Sequence, residues 1–230
     1  NSVLGQLWQL LNPALTIFVY FLIFGLVLGG RDGVDNYVTF LVTGVITFRF
    51  VQAIINGSAR TVPLNVGLIR SIQFPRAVLP ISVMLQQVLA LLPALALVIG
   101  VAIVDGADIS WRLLLLPAVI AVGAALGLGL GLLAARIGAV VNDLSQLLPH
   151  LFRILLYLSG ILFSVATIDT EWVRDVFVLN PFYCLVTLAR WSVAAEPFDG
   201  GMAASLATWT AASVVVGTAV FRRAEYRFGA

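Results

Sequence analysis

A chain of 230 residues with 61% hydrophobic side chains, 10% charged ones and a mean hydropathy of +1.06 does not belong to the soluble globular class, in which about 25% of residues are charged. Its net charge of +2 rests on thirteen arginines, with no lysine anywhere. A P-loop, which sets a lysine on the nucleotide phosphates, is therefore excluded, and no basic stretch interleaved with aromatics points to nucleic acid.

The first eleven residues place Val3, Leu4, Leu7, Trp8, Leu10 and Leu11 opposite Gln6 and Gln9. That spacing predicts an interfacial helix within 1–12, and Asn12-Pro13 ends it because the residue before proline avoids the α region. The chain opens at Asn1 rather than methionine, so a preceding stretch is expected. Six apolar stretches follow, at 13–29, 37–58, 78–104, 112–135, 147–166 and 202–221. Each is close to the ~20 residues that cross a bilayer as a helix. Pro80 and Pro93 predict tilt and a kink in the third. In the fourth, Gly123, Gly127, Gly131 and Ala135 lie four apart on one face. Small residues at that spacing admit a close helix partner, either within the subunit or in another.

Charge sign alternates between the gaps. Residues 59–76 hold Arg60, Arg70 and Arg76 and no acid, 136–153 hold Arg136 and Arg153 against Asp143, and the tail holds Arg222, Arg223 and Arg227 against Glu225. Short positive loops stay in the cytoplasm, which leaves eight arginines inside, four outside and nine of the eleven acids outside. Six crossings with both termini cytoplasmic follow. Only Arg49 falls near the middle of a stretch. A charge there costs about 2.5–3.5 kcal/mol on insertion scales, so it either pairs within the bundle or contacts a substrate phosphate.

Two gaps are more than connectors. In 59–76, Val66, Ile69 and Ile72 form an apolar stripe that Leu68 widens, with Asn65 and Arg70 on other faces. This predicts a short helix that either docks on a partner or lies on the lipid surface. In 167–200, one run holds Trp172, Val173, Val176 and Phe177, and a second opens at Pro181-Phe182-Tyr183 and reaches Trp191. Neither reaches the ~18 residues of a crossing, and Pro181 fits the first position of a helix. Two short helices dipping in from outside are expected, and backbone at that depth must be covered by protein or line a watery cavity.

Enzymatic signals are sparse. The single histidine, His150, excludes a histidine-based metal site, and nine residues separate it from Ser159, about 13 Å along a helix. The single cysteine, Cys184, excludes an internal disulfide. The Asp32/Asp35 and Asp105/Asp108 pairs have a spacing open to a cation, but each begins with Asp-Gly, which is turn chemistry.

Four segments carry a resemblance: LWQLLNPALTIFVYFLIFGLVLG (7–29), LIRSIQFPRAVLP (68–80), NDL (142–144) and LNPFYCLVTLARW (179–191). They resemble the membrane subunit of type-2 ATP-binding-cassette exporters, specifically the permeases that export O-antigen, galactan or teichoic acid. The resemblance covers nearly the whole chain, and Asn142 departs from the arginine that most relatives carry before Asp143. It implies a single all-α permease domain over 1–230 that binds no cofactor. ATP and Mg²⁺ would sit on a separate ATPase subunit, present in two copies. A coupling helix at 62–73 would present Asn65, Leu68, Ile69, Arg70 and Ile72 to that ATPase, with Asn142 and Asp143 from the next inner loop. An outer gate at 171–194 would use Trp172, Phe177, Asn180, Pro181, Phe182 and Arg190. Two copies would enclose a channel lined by Phe18, Phe24, Phe48, Tyr157 and Phe163, with Arg49, and move a lipid-linked polysaccharide across a bacterial plasma membrane. A drug or lipid exporter is the alternative within that fold. A membrane enzyme acting on polyprenyl lipid, or a passive channel, would share the hydropathy.

Overall fold

The apolar stretches become helices, and no strand forms among the described residues. The structure is a computed structural model describing residues 15, 17–27, 34–141 and 143–225; the expected helix at 1–12 lies outside them. After a π-helical turn at Phe21–Val27 come α1 (Tyr37–Leu64), α2 (Val66–Ser71), α3 (Val78–Val104), a 3-10 turn at Trp111–Leu115 and α4 (Leu116–Gly138). Then follow α5 (Leu144–Tyr157), a 3-10 turn at Val165–Thr167, α6 (Glu171–Val178), α7 (Pro181–Ala194) and α8 (Gly200–Glu225). Among the described residues four helical stretches, Tyr37–Leu64, Val78–Val104, Trp111–Gly138 and Gly200–Arg223, are long and apolar enough to cross a membrane. They become five if α6 and α7, which meet at 88°, count as one broken span. The chain divides into two units, one of residues 1–48, 90–119 and 156–205, the other of 49–89, 120–155 and 206–230.

In the first unit the start of α1 is fixed by a residue far along the chain. Asp105 accepts from both the backbone N–H and the hydroxyl of Thr39, at 2.9 and 2.8 Å. A carboxylate at a helix N-terminus answers both the orphan N–H groups and the dipole. Asp105 is thus committed to this cap, and Gly106 at φ +75° makes the turn that Asp-Gly predicted. Helix α7 is buried on almost every side, and its Phe182 ring packs 5.5 Å from that of Phe48. The Arg112 guanidinium lies 5.2 Å over the Trp191 ring and reaches the Ala195 carbonyl at the end of α7, where a cation complements the helix dipole.

The second unit rests on glycines of α4. A Cβ at Gly131 would lie 2.7 Å from the Ser58 hydroxyl, and one at Gly127 3.0 Å from Ile54. The predicted small-residue face therefore packs on α1 of the same chain. On another face, a Cβ at Gly129 would lie 2.5 Å from the Ser213 carbonyl carbon of α8. Gly129→Ala is accordingly expected to lower the melting temperature in detergent by several degrees. Gly100→Ala, whose Cβ meets nothing within 4 Å, should leave it unchanged. Identical melts for the two variants would show that α4 and α8 do not touch there.

Two expected spans end elsewhere. Helix α1 continues past residue 58 to Leu64, with Pro63 inside its last turn. The fifth stretch, expected as one helix over 147–166, stops at Tyr157. Its fourteen residues give only ~21 Å of helix, short of the ~30 Å hydrocarbon core. Gly160 turns the chain at φ +57°, a conformation that glycine adopts without steric cost.

Candidate functional site

The non-helical backbone after α5 carries carbonyls with no helical partner. Side chains supply the donors. The Asn180 amide donates to the Leu158 carbonyl at 3.0 Å, and the Tyr37 hydroxyl to that of Leu162 at 2.8 Å. Arg190 donates from Nη1 to Gly160 and from Nη2 to Ile161, both at 3.0 Å, and from Nε to the Phe40 carbonyl at 3.1 Å. Its guanidinium also sits 3.2 Å over the Phe40 ring. Only 2% of Arg190 is exposed. A Cβ at Gly44 would come within 2.7 Å of Nη2, so α1 leaves room for this charge.

The other residues expected at the gate frame that anchor. Asn180 caps α7, its Oδ1 accepting from the Phe182 N–H at 2.9 Å, and Pro181 follows as the first helical residue. Phe177 stands edge-on to Phe163 at 6.1 Å and to Tyr183 at 5.5 Å. Trp172 is 69% exposed. Phe182 and Arg190 are buried, and they hold the broken segment.

In the second unit α1 runs into α2 across Asn65, whose side chain donates back to Thr61 at 2.8 Å. Leu68, Arg70 and Ile72 point outward, with Leu68 43% and Ile72 55% exposed. Ile69 does not share that face. It is 5% exposed and packs with Val62, Leu132, Ala135 and Phe221. The apolar stripe was legible, but its middle member anchors α2 to the bundle. A groove of about 400 Å³ between Ala59, Pro63, Leu64, Val141 and Ser145 adjoins Arg60, which reaches the Ser145 carbonyl at 3.4 Å. Asp143 is exposed, and Asn142 lies outside the described residues.

The expected channel residues do not behave alike. Phe18 and Tyr157 are exposed, Phe24 is half-buried edge-on to Tyr20 at 6.3 Å, and Phe163 and Arg49 are half-buried. Phe48 is 1% exposed and belongs to the core.

The pattern of the ABC-2 type transporter family matches residues 1–193. The chain belongs to that family. It is 28% identical over 188 residues to the O-antigen export system permease protein RfbA of Myxococcus xanthus, which covers 81% of this chain and 72% of the relative. A protein of the same name from Klebsiella pneumoniae is 26% identical over 99% of this chain and 87% of its own length. The polysialic acid transport protein KpsM of Escherichia coli is 25% identical over 96% of this chain and 86% of its own. Membership makes the chain a multi-pass membrane transport subunit whose ATPase is a separate protein.

For such a subunit, α5 carries the most informative surface. Leu148, Phe152 and Leu156 are buried, while Gln146, His150, Arg153 and Tyr157 are exposed together along one line of the helix. The His150 Nδ1 donates to the Gln146 carbonyl at 3.0 Å. Only Tyr157 of this line was foreseen. Its i, i+4, i+7, i+11 spacing is readable in the sequence, but there Arg153 enters only as charge in the 136–153 gap and His150 only as a lone histidine. Among the described residues, no group of three or more His, Cys, Asp or Glu could hold a metal ion.

Proposed function

We propose that the chain is the permease subunit of an ATP-driven exporter that moves a lipid-linked polysaccharide out across a bacterial plasma membrane, as a homodimer with two ATPase subunits. The exposed polar line of α5 carries this reading. Lipid cannot solvate an amide, an imidazole and a guanidinium along one helix face. Such a face needs water, a second copy or a hydroxyl-rich polymer, and a channel between two copies supplies all three. The parallel apolar line of Leu147, Leu151 and Ile154, also exposed, suits the same inter-subunit seam. Phe18, Phe24, Tyr157 and Phe163, with Arg49, are the proposed contributors of stacking and charge along the path. The names of three relatives, two of O-antigen export and one of polysialic acid transport, favour a polysaccharide over a drug.

The rest of the machine follows from charge and exposure. Six crossings with both termini cytoplasmic place the arginine-rich 59–76 loop inside, where Leu68, Arg70 and Ile72 form the docking face for the ATPase. ATP and Mg²⁺ belong to that partner. The bent pair α6–α7 closes the outer end. Removing the gene from its host should abolish surface polysaccharide, and the wild-type chain with its ATPase should restore it. Arg153→Leu is expected to fold and bind the ATPase, yet to restore less than about a tenth of the surface glycan. Full restoration by Arg153→Leu would show that the polar line of α5 is not in the path.

A further inference from the structure

The first unit holds a partly open cavity of about 590 Å³, inside the roughly 300–1,000 Å³ range of small-molecule sites. Its walls come from several separate segments. Asp35 and Asn36 precede α1, Asp108 follows α3, Asp175 lies on α6, Tyr183 and Thr187 on α7, and Glu196 beyond it. Phe40 and Tyr183 give it an apolar wall, and Ser164, Thr187 and Asn36 add hydroxyl and amide groups.

The charge of this cavity is one-sided. Asp35, Asp108, Asp175, Glu196 and Asp199 all line it, against the guanidinia of Arg174 and Arg190. Arg190 is committed to three carbonyls and the Phe40 ring, and Arg174 gives its Nε to the Ile168 carbonyl at 2.7 Å. Asp199 accepts from the Met202 N–H, which leaves it engaged as a helix cap. Among the described residues no hydrogen bond reaches the carboxylates of Asp35, Asp108 or Asp175. The Glu196 carboxyl is pushed above the ordinary carboxylate range by burial, with Arg190 pulling the other way.

Ionised carboxylates accept hydrogen bonds and donate none. Their natural complement is a donor-rich, uncharged ligand with an apolar face, and a sugar ring carries both. A polyanion brought to this cavity would meet the repulsion of its net negative lining. We infer that this cavity is a subsite for an uncharged glycan segment and turns away polyanionic polymers. The inference rests on the export reading above and narrows its substrate class.

The test uses the permease–ATPase complex in lipid nanodiscs, with mannotetraose as the uncharged probe and a sialic acid tetramer as the anionic one. Binding is read by saturation-transfer NMR titration. Mannotetraose should bind at least about tenfold more tightly than the sialic tetramer, with little dependence on salt. The double variant Asp108→Asn/Asp175→Asn removes two exposed carboxylates that no hydrogen bond holds. It should melt like wild type and bind mannotetraose several-fold more weakly. Asp108→Arg/Asp175→Arg should admit the sialic tetramer. Equal or tighter binding of the sialic tetramer to wild type, no mannotetraose binding, or unchanged binding by the asparagine pair would each overturn the assignment. Surface glycan in the gene-deleted host separates the two readings. Glycan lost on deletion with any of those binding results sinks the cavity alone, whereas glycan retained on deletion sinks the export function.

Discussion

Arg190→Met should cost about 5 kcal/mol of stability and lower the melting temperature in detergent by about 10 °C or more. The methionine fills much of the same volume but donates nothing to the carbonyls of Phe40, Gly160 and Ile161. Each buried carbonyl left without a donor costs about 1–3 kcal/mol, and these three lie where little water can replace the guanidinium. For a chain of this size, each kcal/mol corresponds to about 2–4 °C. Arg190→Lys keeps the charge but not the planar fork, so one ammonium must choose among three acceptors, and an intermediate loss is expected. A melt of Arg190→Met within 2–3 °C of wild type, by the same scale, would mean that these bonds are not the anchor of the broken segment.

The second large effect separates two neighbours in α2. Ile69→Asp would place a carboxylate among Val62, Leu132, Ala135 and Phe221, and an unpaired buried charge costs several kcal/mol. Little folded protein should be recovered from it. Leu68→Asp changes a side chain that is already 43% exposed. It should express and melt like wild type while losing co-purification of the ATPase, because the charge would then be buried only in the complex. Thermal melts and co-purification yields, measured side by side, decide the matter. Wild-type recovery of the ATPase with Leu68→Asp would remove α2 from the docking surface, whatever Ile69→Asp does.

The long apolar helices were readable because each holds a run of largely apolar residues bounded by arginine or aspartate, with Arg49 in α1 the one charge near the middle of a run. The start of α7 was readable too, through Pro181. The break after α5 was not. Leu158, Ile161, Leu162 and Phe163 are as apolar as the helix before them, and the only local sign of the turn is Gly160, in a chain with twenty glycines. Arg190 was hidden for a related reason. Charge counting assigned it to an outer loop, and nothing local in LVTLARW reveals that its acceptors lie 29, 30 and 150 residues upstream. Ile69 shows a third kind of limit. Periodicity finds the apolar face of a six-residue helix, but the face toward the bundle and the face offered to a partner are both apolar.

The separation between donors and acceptors in the broken segment also sets an order of assembly. The carbonyl of Leu158 waits 22 residues for Asn180, and that of Gly160 waits 30 for Arg190. At about 5–20 residues per second of synthesis, the stretch after α5 leaves the ribosome seconds before its donors exist. Backbone at membrane depth cannot remain unbonded in lipid. During that interval the segment must stay hydrated, at the insertion machinery or at the bilayer surface, and it can settle only when α7 arrives. The stretch after α5 and the bent pair therefore reach their final fold as one unit, and a ribosome stalled between residues 160 and 190 leaves that unit incomplete.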